Sequence, residues 1–145
     1  MNKPRLNAWA VAPKLMNAMV EYSTSVVEAG LEPSLVELVK IRASQLNGCA
    51  VCLHMHTREA RQKGETEERI FLLDAWRETP FYSARERAAL AWTEVLTRMD
   101  DSEAAYEAVR AEFSEEDQVK LTLMITVINS WNRIGVGFRQ GPVVK

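Results

Sequence analysis

The segment Gly48-Cys49-Ala50-Val51-Cys52-Leu53-His54-Met55-His56 holds both cysteines and both histidines of the chain. A helix turns by about 100° per residue, so Cys49, Cys52 and His56, at spacings of three and four, fall on one face. His54 lies two positions from Cys52 and projects to nearly the opposite side. A helix that opens at this Cys-x-x-Cys aims its free first-turn N–H groups at the thiols and stabilises the thiolate, taking a thiol pKa from about 8.5 to about 7 or below. The thiolate is the form that attacks peroxides and disulfides. A second thiol one turn away captures a sulfenic acid as a disulfide before it over-oxidises. His56 is placed to take or relay the thiol proton, since an imidazole titrates near neutrality.

Two other readings of the same residues exist. The cysteines can be small buried hydrophobes of a core. Cys49, Cys52, His54 and His56 are also four ligands by count, but one helix does not turn His54 and His56 to the same ion, and zinc sites of this type draw on two separated segments. The expectation is therefore redox chemistry with no metal and no organic cofactor.

These residues need helices to position them, and the chain reads as helical throughout. No Gly or Pro falls between Phe81 and Ile134, whereas a sheet protein of this size needs frequent turn residues. A first helix is expected from Pro13 to near Gly30, with Leu15, Met19, Tyr22, Val26 and Ala29 as its apolar positions. A second runs from Pro33 to Gly48 and a third from about Cys49 to Gly64. A fourth starts near Thr66 and stops before Pro80, and a fifth opens on the capping-box pattern Ser83-x-x-Glu86. A short sixth covers Ser102 to Glu112, and the last runs from Ser114-x-x-Asp117 to about Gly135. That last helix is apolar around most of its circumference, through Leu121, Leu123, Met124, Ile125, Val127, Ile128 and Trp131. Such a helix is either central or part of a subunit interface.

The expected fold is all-α: a compact bundle of about six to seven helices in a single domain spanning residues 1–145. At this length a chain buries roughly 70% of its unfolded surface and needs no disulfide staple. Lys and Arg number 18 against 20 Asp and Glu, a net charge of −2, which argues against a dedicated nucleic-acid binder. The most apolar run, Leu121 to Trp131, is too short to span a bilayer. Near the N-terminus, Pro13, Lys14 and Asn17 interrupt what would have to be a signal-peptide core, so a cytoplasmic protein is expected.

Glu37, followed after eleven residues by Cys49-x-x-Cys52-x-x-x-His56, resembles the signature of alkylhydroperoxidase D within the carboxymuconolactone decarboxylase superfamily. The flanking text, from Leu35-Val36-Glu37-Leu38-Val39-Lys40-Ile41-Arg42 to Gly48-Cys49, and the later Ile128-Asn129-Ser130-Trp131-Asn132-Arg133-Ile134, resemble it too. The likeness covers roughly residues 30 to 135. It implies an all-helical fold that assembles into trimers or hexamers, and a thiol peroxidase in which Cys52 attacks and Cys49 resolves. By the same carry-over Glu37 is the base and His56 part of the proton relay. Spacing alone does not nominate Glu37, but its apolar setting makes burial plausible. The better-known enzyme has a histidine just before the second cysteine, where this chain has Val51.

The expected function is reduction of hydroperoxides at the expense of an external dithiol. The rivals are an acid–base decarboxylase of the same fold and a non-enzymatic redox sensor. The surplus of large apolar side chains, with Trp9, Trp76 and Trp92 added to those of the last helix, points to a homo-oligomer, with a hexamer as first guess. No nucleic-acid or membrane partner is expected.

Overall fold

A computed structural model of the protein describes residues 3–142. Eight α-helices and one 3-10 segment account for the regular structure among these residues, with no strand: α1 (Ala8–Val11), α2 (Pro13–Val27), α3 (Pro33–Asn47), α4 (Ala50–Gln62), α5 (Glu67–Phe71), the 3-10 segment Leu73–Glu78, α6 (Ala84–Arg98), α7 (Glu103–Glu112) and α8 (Glu115–Gly137). The all-α bundle is as expected, with more pieces than six or seven. One extra piece is α1, a single turn capped by the Asn7 side chain, which accepts from the Trp9 and Ala10 N–H groups. The other arises because the expected fourth helix breaks at Leu72 into α5 and the 3-10 segment, which is itself kinked at Ala75, where φ of −111° and ψ of 29° are not helical.

Most boundaries follow from local chemistry. Pro13 and Pro33 occupy first-turn positions of α2 and α3, where the missing N–H costs nothing. Ser83 and Glu86 form a reciprocal capping box at the start of α6. The Ser114 side chain accepts from the Asp117 N–H at the start of α8.

The bundle is organised on α3 and α8. Helix α3 packs against α4, α6 and α8, and α8 against α2, α3, α4, α6 and α7. Leu121, Met124, Ile125, Val127 and Ile128 of α8 are all buried, so this helix is central, although Leu123 reaches 37% exposure. Two polar clusters fix the neighbours. Asn132 of α8 is fully buried; it donates to Ser44 Oγ at 3.0 Å and accepts from Asn47 Nδ2 at 3.0 Å, both on α3. Glu94 of α6 is buried among donors: Arg42 Nε at 2.9 Å, Trp76 Nε1 at 2.9 Å and Arg77 at 2.6 Å. Burial pushes the Glu94 carboxyl up, but these donors outweigh it and hold the group below its ordinary range.

Two readings of apolar surface are corrected. Trp76 and Trp92 are buried within the chain, the first bonded to Glu94 and the second to Thr122 Oγ1 at 2.9 Å, so neither is left over for an interface. On α2 the buried residues are Met16 and Val26, whereas Leu15 is 72% exposed and Tyr22 42%. The packed stripe is rotated from the expected one; α2 meets α8 through Val26, which joins its apolar cluster, and through Ser23, which accepts the Trp131 indole N–H.

Candidate active site

Helix α3 ends in a Schellman motif at Gly48, with φ of 64° and ψ of 35°. The Gly48 N–H donates to the Gln45 carbonyl at 3.3 Å and the Cys49 N–H to the Ser44 carbonyl at 3.1 Å. A left-handed residue at this point reverses the chain, and only glycine adopts it without a Cβ penalty. Cys49 becomes the N-cap of α4 and Cys52 lies in its first turn. The two sulfurs form a disulfide with Cα atoms 5.3 Å apart, within the normal range. Both residues are buried.

The close neighbour of this pair is the backbone of α8. A Cβ placed on Gly135 would sit 2.9 Å from Cys49 Sγ, 3.2 Å from Val51 Cγ1 and 3.6 Å from Cys52 Sγ. Glycine here lets α8 run against the sulfurs. In the sequence this residue marked only the approximate end of the last helix.

His56 sits one turn after Cys52, 7% exposed. Its Nδ1 is 3.0 Å from Glu59 Oε2 and 3.6 Å from Glu37 Oε2. Two carboxylates facing one nitrogen favour the tautomer with the proton on Nδ1, which leaves Nε2 as the basic atom. Glu37, reached across from α3, is 1% exposed. Its Oε1 accepts from Lys63 Nζ at 2.7 Å and lies 3.7 Å from Lys40 Nζ, while Oε2 has no hydrogen-bond partner. Burial raises the Glu37 pKa, but the opposing pull of His56, Lys63 and Lys40 is larger and takes it from 4.5 to about 2. Glu37 is therefore a fixed negative charge at neutral pH. Glu59 was not singled out in the sequence, although its position three residues after His56 is the signal that could have found it.

Cys52, His56 and Val51 line one cavity of about 410 Å³, walled by Met55, Trp9 and Trp131. Cys49 is not among its lining residues. Val51 presents an apolar group to this cavity. His54 is exposed on the far side of α4, with Nε2 3.4 Å from Arg58. For a metal, the candidate set among the described residues is Glu37, His56 and Glu59, with one donor atom each within 4.8 Å of the others. It contains neither cysteine, and Lys40 and Lys63 already balance Glu37.

A model of the carboxymuconolactone decarboxylase family matches residues 13–95, more than half of the chain. The protein belongs to this family. Among solved structures, this family member is similar to a protein of unknown function from Agrobacterium tumefaciens, suggested to be the antioxidant defence protein AhpD. The TM-score is 0.93 at 42% identity, covering 98% of this chain and 100% of that one. The uncharacterized protein YdfG of Bacillus subtilis is 42% identical over 135 residues, covering 91% of this chain and 92% of that protein. An uncharacterized peroxidase-related protein from Silicibacter sp. TM1040 shares the fold, with a TM-score of 0.83 at 23% identity over 94% of this chain and 74% of that one. The alkylhydroperoxidase D-like character expected from Glu37, Cys49, Cys52 and His56 agrees with the family and with the Agrobacterium neighbour. Trp9 and Trp131 both lie outside the matched segment.

Proposed function

We propose that the protein is a thiol-dependent peroxidase that reduces organic hydroperoxides through the Cys49–Cys52 pair. The observation that carries this reading is that Cys52 and His56 open onto one apolar cavity while Cys49 lies behind Cys52 against α8. Cys52 is accordingly the attacking sulfur. Its thiolate takes the distal oxygen, the O–O bond breaks, and the leaving alkoxide takes one proton to become the alcohol. The Cys52 sulfenic acid then condenses with the Cys49 thiol, releasing water and forming the disulfide. An external dithiol returns both sulfurs to thiols and is itself oxidised to a disulfide. His56 accepts the thiol proton at Nε2 and passes it to the alkoxide, while the Glu37 and Glu59 carboxylates hold the ring and balance the imidazolium. With Val51 in place of a second relay histidine, this path runs through His56 alone.

The expected outcome is that Cys52→Ser abolishes peroxide consumption. Cys49→Ser allows one round of oxidation and then stalls with Cys52 as sulfenic or sulfinic acid, read by intact mass. Equal single-turnover oxidation in both variants would show the roles to be wrong. His54→Ala, facing away from the thiols, serves as the control. The family name also keeps a lactone decarboxylase in view, because His56, held by the Glu37 and Glu59 carboxylates, can move a proton without the thiols. That activity would survive the double Cys49→Ser, Cys52→Ser change, and the peroxidase would not. The protein is further read as a homo-oligomer, a hexamer in first place, since α2 leaves Leu15, Val20, Tyr22 and Val27 at the surface.

A further inference from the structure

The cavity next to Cys52 carries a wall that the thiol chemistry does not require. Trp9 and Trp131 stack with ring centroids 6.4 Å apart and planes 13° from parallel, and both face the cavity lining. Trp9 is 43% exposed on a helix of one turn, so it adds little to the core. Yet the segment that carries it is tied down at several points. Asn7 caps the Trp9 and Ala10 N–H groups at 3.1 and 3.3 Å. The Arg5 N–H donates to the Phe138 carbonyl at 3.0 Å, and its guanidinium to the Gly137 carbonyl at 3.0 Å. The Trp131 N–H is taken by Ser23 Oγ at 3.2 Å, so what this side chain offers a ligand is ring surface.

Hydrogen peroxide has no apolar part to place on such a wall and gains nothing from it. A hydroperoxide with a flat apolar group gains contact there. Space is sufficient: on the order of 150 Å³ of apolar cavity holds a benzene molecule, and this cavity measures about 410 Å³. We propose that Trp9 and Trp131 receive the organic group of the substrate, and that the protein takes hydroperoxides bearing an aryl or similarly flat apolar group in preference to hydrogen peroxide. The choice of substrate rests on the peroxidase reading above; the binding wall does not. When Cys52 takes the distal oxygen, the O–O bond breaks and the ring leaves on the alkoxide, which takes one proton to become the alcohol. The product therefore fits the same wall as the substrate.

The test uses cumene hydroperoxide against hydrogen peroxide, and the alcohol 2-phenylpropan-2-ol as a non-reacting probe of the oxidised protein. The wild type is expected to favour cumene hydroperoxide in kcat/KM by tenfold or more. Trp9→Ala is expected to cut that ratio about tenfold, equivalent to about 1.4 kcal/mol, and to weaken binding of the alcohol by a similar factor in a calorimetric titration. Trp9→Phe restores most of both. A general loss of structure lowers both rates together and leaves the ratio alone, so an unchanged ratio in Trp9→Ala overturns the proposal. If the wild type consumes neither peroxide with excess dithiol, the peroxidase reading fails and the alcohol titration decides alone. Binding that depends on Trp9 then upholds the wall, and absent or Trp9-independent binding overturns it.

Discussion

Replacing Gly135 by alanine tests whether α8 senses the oxidation state of the sulfurs. In an ordinary exposed helix the change gains about 1 kcal/mol, because glycine is the poorer helix former. Here the new methyl would meet Cys49 Sγ at 2.9 Å, Val51 Cγ1 at 3.2 Å and Cys52 Sγ at 3.6 Å. Overpacking a closed site costs about 1–3 kcal/mol. In the disulfide neither sulfur can turn aside, so a cost of about 2 kcal/mol applies and, after the helix gain, the net loss is about 1 kcal/mol. In the dithiol the Cys49 side chain is free to change rotamer, and the two effects roughly cancel. The assay is urea unfolding of wild type and variant, each oxidised and reduced, at one protein concentration. The oxidised midpoint is expected to fall by about 0.5 M and the reduced one to stay nearly unchanged. The same difference makes the disulfide easier to reduce, by about 20 mV on the scale where 30 mV is about 1.4 kcal/mol. An oxidised variant as stable as the wild type would refute the reasoning, since helix propensity would then have outweighed the contact.

Three further outcomes are expected. Glu37 has a pKa lowered to about 2, so its contribution is present above its unfolded value of 4.5 and lost as pH falls from there to 2. Over that window the wild type should lose about 2 kcal/mol more than Glu37→Gln, allowing for screening at half-exposed Lys63, as followed by unfolding at stepped pH. Glu94→Ala leaves the buried Arg42 Nε and the Trp76 indole N–H without an acceptor, although Asp74 and Gln45 still hold the Arg42 Nη1, and should cost about 2–3 kcal/mol in urea unfolding; a loss below 1 kcal/mol would show that water replaces the carboxylate. Light scattering at micromolar concentration should give a multiple of 16.4 kDa, and a mass near 16.4 kDa would end the oligomer proposal.

What the sequence carried was local. Pro13, Pro33, the Ser83–Glu86 box and Gly48 each act on their own turn, and each set a boundary where the pattern placed it. The same holds for Cys52 and His56, which share a face of one helix and line one cavity. The contacts that were illegible are those between helices. Glu37 meets His56 only because α3 and α4 pack, and a family likeness was needed to nominate it. Gly135 reads as a helix end until α8 is laid against Cys49. Leu15 and Met16 are both apolar, and only the packing of α2 in the fold decides that Met16 is the one inside. Glu94 looks like one more surface charge among many until Arg42, Trp76 and Arg77 converge on it from two other elements.

The tether from Arg5 to the carbonyls of Gly137 and Phe138 has a consequence for the order of assembly. It joins residues 132 positions apart in one case, among the longest loops the chain can close. Contacts of that separation form late, because the loop entropy is lost before they stabilise anything. During synthesis Trp9 emerges first and has nothing to stack on until Trp131 follows. A chain lacking its last turns can already hold Cys49 and Cys52 at the start of α4, with that side of the dithiol still unwalled. Any preference imposed by the two indoles would thus be acquired last, after the sulfurs have become able to react.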